Sequence, residues 1–347
     1  MARKPYRVEV IYSKGRRPQY YLTKDVWFKG KKDKVRTYIG IVPPTIDEVE
    51  LARKFAFNLE IKAAKKIGKI SEDKFVFNYL SRNQIAELEE LKYLYKKFND
   101  LLTKNEISAY EEKFEFQYVQ GTTSIEGNTL SLDQVRNLFV HKIIPQNKTL
   151  REINEVQNFI NVKKFRDSYK GKINLDFIRT IHSLIMQNIE NESAGVFRRT
   201  DDVGIVGCDV RLCPAIVIEE KLAEIIGHYY DNLKKDYHPF EEAVMFHYCF
   251  EIIHPFSDGN GRVGREILNY MLMKNRYPKL LFLGESRDEY LDALKYGNEE
   301  QYSKMVSIFS DIVLTQRRKI IYENLEKLTK TIPQRRQTRL TEFFSIK

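Results

Sequence analysis

Apolar and polar positions divide the chain into a short strand-forming segment and a long helical remainder. In residues 6–43, β-branched and aromatic residues are concentrated in three segments, at 7–12, 19–28 and 34–42. Basic clusters that contain glycine or proline separate these segments and indicate turns. We therefore expect a three-stranded antiparallel meander, which Pro43-Pro44 ends.

From residue 45 onward, apolar residues recur at intervals of three and four, which is typical of amphipathic helices. Thr45, Ser131 and Thr149 each precede a Glu or Gln by three residues, a pattern that marks the start of a helix. Gly68 is expected to end the first helix. Helices are predicted at about 45–67, 82–102, 106–123, 149–169, 175–189, 217–234, 240–253, 263–273 and 301–330. The fold class is therefore mainly α, with a small N-terminal antiparallel β appendage.

Composition limits the class of protein. The chain has 347 residues, of which 42% are hydrophobic, so a large core is expected. No apolar segment is long enough to span a bilayer, and residues 1–6 lack the apolar core of a secretory signal. Three cysteines, Cys208, Cys213 and Cys249, are too few for a disulfide framework. We expect a cytoplasmic protein with free thiols and no membrane partner.

The net charge of +10 is unevenly distributed along the chain. Residues 1–45 hold 12 Lys/Arg against 3 Asp/Glu, and residues 316–347 hold 9 against 3. Basic sheets in which aromatic residues such as Tyr20 and Trp27 alternate with cations occur in nucleic-acid-binding arms. A structural appendage packed on the following helix is the favoured interpretation, and weak nucleic-acid contact through the basic ends stays open.

The segment from His254 to Arg265, HPFSDGNGRVGR, lies between two apolar helical segments. Its Gly-Asn-Gly turn lets backbone N–H groups approach an anion, because no Cβ blocks them, and the helix that starts there adds the positive end of its dipole. Arg262 and Arg265 can bind different phosphates. Asp258 can hold a Mg²⁺ ion that bridges those phosphates, and His254 is placed to accept a proton from a hydroxyl group.

The pattern His-x-Phe-x-Asp-Gly-Asn-Gly-Arg-x-x-Arg resembles the signature of the Fic family at every specified position. Fic enzymes most often transfer AMP from ATP to a protein hydroxyl. The resemblance implies a Fic helical fold, ATP and Mg²⁺ as cofactors, His254 as general base and Asp258 as the metal ligand. It assigns the phosphates to a set of loop residues, namely Gly259, Asn260, Gly261, Arg262 and Arg265.

The same resemblance implies two further parts of a site. A β-hairpin flap at about 202–213 would pair with an extended target segment and present its hydroxyl to His254, although an ordinary surface hairpin is the alternative. Tyr290 and Asn298 would line the adenine pocket, although a Tyr at helical spacing is more often a core residue.

Residues 122–128, TTSIEGN, resemble the inhibitory motif Ser/Thr-x-x-x-Glu-Gly/Asn of Fic proteins. The resemblance implies an ion pair between Glu126 and Arg265. A carboxylate there would occupy the guanidinium that should orient the γ-phosphate, so ATP would bind in an unproductive pose. Taken alone, the same residues are only the end of a helix.

A second resemblance concerns residues 337–344. Gln337-x-x-Leu340-x-x-Phe343-Phe344 resembles the PIP box, by which DNA replication and repair proteins bind the sliding clamp PCNA. In one helical turn, Leu340, Phe343 and Phe344 share a face that can enter an apolar pocket. The alternative is a flexible basic tail that folds back onto its own domain.

The sequence therefore predicts an adenylyltransferase that acts on a Ser, Thr or Tyr of a protein substrate, is restrained by Glu126 and is recruited to PCNA. The expected parts are a β meander (1–44), a helical connector (45–104), a Fic domain (105–315), and a basic helix with a tail (316–347). Removal of AMP, transfer of another phosphate-containing group, a toxin-like role and a PCNA-recruited binding module remain alternatives. The target protein and the oligomeric state stay open.

Overall fold

Three antiparallel strands form near the start of the chain: β1 (Arg7–Ile11), β2 (Gln19–Phe28) and β3 (Lys31–Gly40). The computed structural model describes residues 6–46, 48–204, 212–283 and 285–331, and it pairs the strands in the order β1-β2-β3. The predicted meander is therefore confirmed. Strand β3 begins earlier than predicted, because Lys31 and Lys32 pair with Phe28 and Trp27 although lysine has a low strand propensity.

One face of this sheet packs on helix α1 (Glu48–Ser71). The cluster between them consists of buried aliphatic side chains, namely Leu22, Val26, Val35, Leu59, Ala63 and Ile67. Because side chains alternate between the two faces of a strand, the neighbouring positions of β2 and β3 face away from α1. Among the described residues, the apolar packing of the meander on α1 thus uses one face of the sheet.

Helix α1 continues through Gly68 to Ser71, so the prediction that Gly68 ends the helix was wrong. A Cβ atom at Gly68 would lie 2.7 Å from the carbonyl oxygen of Ala86 and 2.8 Å from Cγ of Glu90. Both residues belong to helix α2 (Arg82–Leu101). Glycine stands here because the two helices approach closely, which the sequence pattern of one helix does not reveal.

The fold class is confirmed, and the remaining predicted helices are present in order, together with α10, a helix that was not predicted. They are α3 (Lys104–Ile125), α4 (Leu132–His141), α5 (Leu150–Ser168), α6 (Leu175–Met186), α7 (Ile218–Lys234), α8 (Pro239–Ile253), α9 (Asn260–Lys274), α10 (Glu285–Asn298) and α11 (Tyr302–Thr331). The predicted capping boxes at Ser131 and Thr149 are present, because each hydroxyl accepts from the N–H group three residues later. Within the described ranges, no helix is long and apolar enough to cross a membrane.

The chain divides into two units. The first comprises residues 1–75, 81–107 and 314–347, and the second comprises residues 76–80 and 108–313. In the second unit, α9 is buried along most of its length and contacts α6 and α8. The segment 254–259, which carries the candidate chemistry, joins α8 to α9.

Gly68→Ala should destabilise the protein, although alanine is the better helix former. The new methyl group must displace the backbone of Ala86 or the side chain of Glu90, at a cost of about 1–3 kcal/mol. Gly227→Ala is the matched control, because Gly227 lies in α7 with nothing near its Cβ position, and it should stabilise by up to about 1 kcal/mol. Urea unfolding of the three proteins measures both changes, and stabilisation by Gly68→Ala would contradict the packing argument.

Candidate functional site

His254 has an unusual backbone conformation at the end of α8. Its φ of 47° and ψ of 61° lie in the left-handed region, which a non-glycine residue seldom adopts. Its ring Nδ1 lies 3.3 Å from the carbonyl oxygen of Glu251, so Nδ1 carries the proton and Nε2 is the acceptor. Burial lowers the pKa of His254 below its ordinary value. The imidazole is therefore neutral near pH 7 and can accept a proton at Nε2.

A buried arginine, Arg198, holds the backbone around His254. Its Nε donates to the carbonyl of His254 at 2.8 Å, and its Nη2 donates to those of Ile253 and Cys213. Its Nη1 donates to the carbonyl of Thr200 at 2.9 Å. Arg198 thus joins the end of α8 to Thr200, just before the predicted flap, and to Cys213, the last residue of the predicted flap. This role was not predicted from the sequence, because most of the partners are backbone carbonyls and leave no residue pattern.

Asn260 closes the loop between α8 and α9. Its side-chain Oδ1 accepts from the N–H group of Phe256 at 2.9 Å, and its Nδ2 donates to the carbonyl of Phe256 at 2.7 Å. The side chain of Asn260 is buried and engaged within the loop, and its role in binding phosphate stays a prediction. Only its backbone N–H group can still face an anion.

His182 of α6 packs against the same loop. Its ring stacks on Phe256 with 3.6 Å between the ring centroids. Nδ1 accepts from the N–H group of Gly195 at 2.8 Å, so Nε2 carries the proton and donates to the carbonyl of Asp258 at 3.0 Å. Burial lowers the pKa of His182 to about 4, so this ring stays neutral and holds the loop through fixed hydrogen bonds.

The first turn of α9 offers an anion-binding position. The first N–H groups of a helix lack intrahelical acceptors and carry the positive end of the dipole. A Cβ atom at Gly261 would lie 2.7 Å from Oε1 of Glu126 and 2.8 Å from Nη1 of Arg265. The missing side chain therefore leaves a space, and in this structure the carboxylate of Glu126 lies against it.

Arg265 is 1% exposed and is bound by the end of α3. Its Nη2 lies 2.6 Å from Oε1 of Glu126 and 2.9 Å from the carbonyl oxygen of Thr122, and its Nε lies 2.8 Å from Thr122 Oγ1. The ion pair that the resemblance implies is thus present in the geometry. Helix α3 itself packs closely at Gly121, where a Cβ atom would lie 2.6 Å from the carbonyl oxygen of Phe282.

Asp258 and Arg262 form a second ion pair beside the first turn of α9. Oδ1 of Asp258 lies 3.0 Å from Nη2 of Arg262, and its Oδ2 contacts Arg151 of α5. Nη1 of Arg262 also lies 3.2 Å from Glu155. Burial opposes ionisation of Asp258, but Arg262, the Gly259 N–H group and Arg151 together lower its pKa. Arg151 and Glu155 were not predicted as site residues, since they lie about one hundred residues before the loop.

The carboxylate of Asp258 suits a Mg²⁺ ion that is shared with a nucleotide. Across the described ranges, no group of three or more His, Cys, Asp or Glu residues could hold a metal ion. Mg²⁺ is usually bound by one or two carboxylates together with phosphate oxygens and waters, so a single ionised Asp258 next to the phosphate position fits this mode. The described residues do not offer the several ligands that a metal ion held by the protein alone would need.

A buried carboxyl group, Glu251, lies behind Arg265. A Cβ atom at Gly264 would lie only 2.3 Å from Oε1 of Glu251, so the side chain packs directly on α9. Oε1 lies 3.8 Å from Nδ1 of His247, and neither atom has a hydrogen-bond partner among the described residues. Burial raises the pKa of Glu251 to about 7. Glu251 was not predicted as a site residue.

Two of the other predicted site residues, Tyr290 and Asn298, belong to helix α10, and the rest lie outside the described residues. Tyr290 is 1% exposed, and its hydroxyl lies 3.1 Å from Nε2 of His247, beneath Arg265. Asn298 accepts a hydrogen bond from Tyr248 at 3.4 Å. The adenine roles of both stay predictions. Flap residues 205–211 and the four tail positions lie outside the described residues; the tail positions are Gln337, Leu340, Phe343 and Phe344.

Comparisons with known proteins agree on one family. Residues 172–272 match the Fic/DOC family, a range that contains His254, Asp258 and both loop arginines. The chain is 33% identical over 189 residues to "Protein adenylyltransferase fic-1" of Caenorhabditis briggsae, which covers 53% of this chain and 36% of the relative. It is 30% identical over 225 residues to the protein of the same name from Caenorhabditis elegans, covering 63% and 43%. The chain thus spans less than half the length of these relatives.

A solved structure shows the same fold. Fic-1 from C. elegans superposes with a TM-score of 0.61 at 24% identity, covering 79% of this chain and 84% of that chain. The helical architecture predicted from the sequence is therefore confirmed by an independent structure. Glu126 and Arg151 lie before the range that matches the family.

Glu251→Gln should change how stability depends on pH. The folded protein holds a proton on Glu251 up to about pH 7, whereas an unfolded Glu releases it near its ordinary pKa of 4.5. Stability therefore falls as pH rises through this window. Gln stays neutral, so the variant should match the parent at pH 5 and exceed it at pH 8 by on the order of 2–3 kcal/mol. Urea unfolding at both pH values measures the difference, and an equal offset at both would contradict a titrating Glu251.

Proposed function

We propose that this chain, which carries a domain of the Fic/DOC family at residues 172–272, transfers AMP from ATP to a hydroxyl group of a protein. The observation that carries the proposal is the neutral, partly buried His254, joined by a short loop to the positive N-terminus of α9. A proton acceptor and an anion-binding helix end are the two groups that this transfer needs. The names of the curated relatives support the same reaction.

In the proposed reaction, the hydroxyl oxygen of the target attacks the α-phosphorus of ATP. Nε2 of His254 takes the hydroxyl proton while the new O–P bond forms, and the bond between the α-phosphorus and the bridging oxygen breaks to release pyrophosphate. Arg198 fixes the position of His254 through the backbone carbonyl. The general base therefore requires no reorganisation at the moment of proton transfer.

The phosphates bind along the first turn of α9 in this proposal. The N–H groups at residues 259–261 bind the α- and β-phosphates, and Arg262 and Arg265 bind the β- and γ-phosphates. Asp258 would hold Mg²⁺, which would neutralise part of the phosphate charge. Asp258 must then release Arg151, or its carboxylate must contact Arg151 and the ion at the same time. Because Arg151 is half exposed, its guanidinium can return to solvent at little cost.

Glu126 restrains the transfer in this proposal. Its carboxylate lies 2.6 Å from the arginine that is assigned to the γ-phosphate and against the space at Gly261. A phosphate that entered this space would find the guanidinium of Arg265 already paired, and the carboxylate of Glu126 would repel it. ATP therefore binds productively only when Glu126 has left Arg265.

Removal of AMP from a modified protein is the second candidate function. The side chain of Glu126 is 29% exposed at the edge of the phosphate position, so its carboxylate can orient a water molecule toward a bound phosphodiester. In that reaction Glu126 assists catalysis instead of blocking it. The two functions therefore predict opposite effects of removing the carboxylate.

Glu126→Gly should raise the transfer of AMP, because the variant frees Arg265. A hydrogen bond to a charged group contributes about 1.5–3 kcal/mol, so automodification should rise by roughly 10- to 100-fold. Incubation with labelled ATP and Mg²⁺, followed by mass spectrometry, measures it. His254→Ala in the Glu126→Gly background is the control and should abolish transfer while ATP binding persists. Unchanged or lower transfer by Glu126→Gly would contradict inhibition. AMP removal is measured separately as release of AMP from a modified protein, which Glu126→Gly should lose if Glu126 orients the water.

We propose in addition that residues 337–344 bind PCNA. The support is the sequence pattern, since these residues lie outside those that the structure describes. Each buried Leu or Phe side chain contributes about 1.5–3 kcal/mol, from which the ordering of the segment is subtracted. Micromolar affinity is therefore expected. Proteins bound to PCNA, or PCNA itself, would then reach a high local concentration near the enzyme and are the favoured substrates.

A peptide of residues 331–347 and the whole protein should both bind PCNA in calorimetry. Phe343→Ala combined with Phe344→Ala should remove binding, because it removes two of the three apolar groups. A peptide of the same composition in scrambled order is the control and should not bind. The double variant should keep the parent's transfer rate on a generic acceptor. Equal affinity of parent and variant would refute the PIP box.

A further inference from the structure

The outer face of the sheet, the one turned away from α1, is a compact array of cations and aromatic rings. It contains alternate residues of β2 and β3 and their neighbours on β1. The strand register sets Tyr21 opposite Tyr38, Thr23 opposite Arg36, Asp25 opposite Lys34 and Trp27 opposite Lys32, while Glu9 and Arg7 of β1 pair with Tyr21 and Thr23. Along β2 this face extends for about 20 Å, from Tyr21 to Trp27.

On the outer face, the acidic side chains are more buried than the basic ones. Asp25 contacts Arg7 at 2.7 Å and Lys32 at 3.0 Å, and Glu9 contacts Lys34 and Arg36. The acidic side chains are only 12% and 28% exposed, whereas the four cations are 37–52% exposed. Each acid is shared by two cations, so the surface that meets solvent carries an excess of positive charge.

Aromatic rings stand at both ends of this face. Trp27 is 59% exposed, and the ammonium group of Lys32 lies 5.3 Å from its ring centroid. Tyr38 is 46% exposed and packs edge-on against Tyr21, with 5.6 Å between the ring centroids. Large exposed rings contribute little to this sheet, because its apolar packing on α1 uses the opposite face. Their exposure therefore points to a ligand that covers them.

We propose that the outer face binds single-stranded nucleic acid. Phosphates would pair with the four cations, and bases would stack on Trp27 and Tyr38, the combination by which sequence-independent single-strand binders work. The cations can turn toward phosphates at little cost, because exposed ion pairs are weak. Duplex DNA offers the phosphates but hides the faces of its bases, and an acidic peptide offers charge without bases. This proposal is independent of the AMP transfer proposed above.

Tryptophan fluorescence reports on the outer face, because Trp27 is the only tryptophan of the sequence. Titration of the full-length protein at low salt with an oligothymidine of about 16 nucleotides should quench tryptophan fluorescence to saturation. The logarithm of the affinity should fall with the logarithm of the salt concentration with a slope of roughly −2 to −3, as expected for four phosphate contacts on a single strand. Absence of both quenching and anisotropy change of a labelled oligothymidine would overturn the proposal.

Charge variants locate the binding. Lys34→Glu with Arg36→Glu should weaken binding at least about tenfold, since two phosphate contacts become repulsive. Lys234→Glu with Lys330→Glu makes the same change in net charge at exposed cations of two helices, α7 and α11, and should keep the parent's affinity. Lys34→Gln with Arg36→Gln, checked for folding by urea unfolding, covers the case in which the acidic variant does not fold. Equal affinity of all variants would place binding elsewhere and overturn the proposal.

Three further measurements test the kind of ligand. Trp27→Ala, followed through a labelled oligothymidine, should weaken binding by roughly 5- to 100-fold, because one stacking contact is lost. A duplex of the same length should bind more weakly than the single strand, and poly-glutamate should compete poorly. An unchanged affinity of Trp27→Ala together with equal binding of the duplex would overturn the single-strand assignment. Equal competition by poly-glutamate would instead assign the face to an acidic protein.

Discussion

The buried guanidinium of Arg265 is the constraint on which the candidate site depends. A charge that is removed from water must be paired and hydrogen-bonded, because an isolated buried charge is very costly. Arg265 meets this requirement through Glu126 and Thr122 at the end of α3, with Glu251 packed behind it on α8. Two glycines of α9, Gly261 and Gly264, make room for these carboxyl groups. Through these contacts, Arg265 links α3 and α8 to α9 within the second unit.

The loop that carries His254 is held by side chains rather than by regular structure. Arg198 fixes its first residues, His182 supports its middle, and Asn260 closes its end. Each of these residues forms hydrogen bonds to backbone groups of the loop, and His182 also stacks on Phe256, so the backbone of the loop is held at several points. Chemical groups can therefore vary or move at its surface while the backbone that positions them stays in place.

Local features of this structure could be predicted from the sequence, and contacts between distant segments could not. The strands of the meander and the capping boxes at Ser131 and Thr149 depend on neighbouring residues, and they were predicted correctly. Gly68 was misinterpreted because its role is a contact with another helix. Asn260 lies within a recognised pattern, yet the pattern does not state that its side chain bonds to Phe256.

The close packing of α3 at Gly121 determines how far Glu126 can travel. The helix cannot slide or tilt there without a collision with the backbone of Phe282, so only its last turn is free to rearrange. That turn, residues 122–125, rises about 6 Å over its four residues. Its hydroxyl groups already bond back to the helix, with Thr123 Oγ1 bound to the carbonyl of Val119. In the proposed mechanism, departure of Glu126 from Arg265 would therefore be a fraying of this last turn, on a timescale of about microseconds, and would need no movement of a domain.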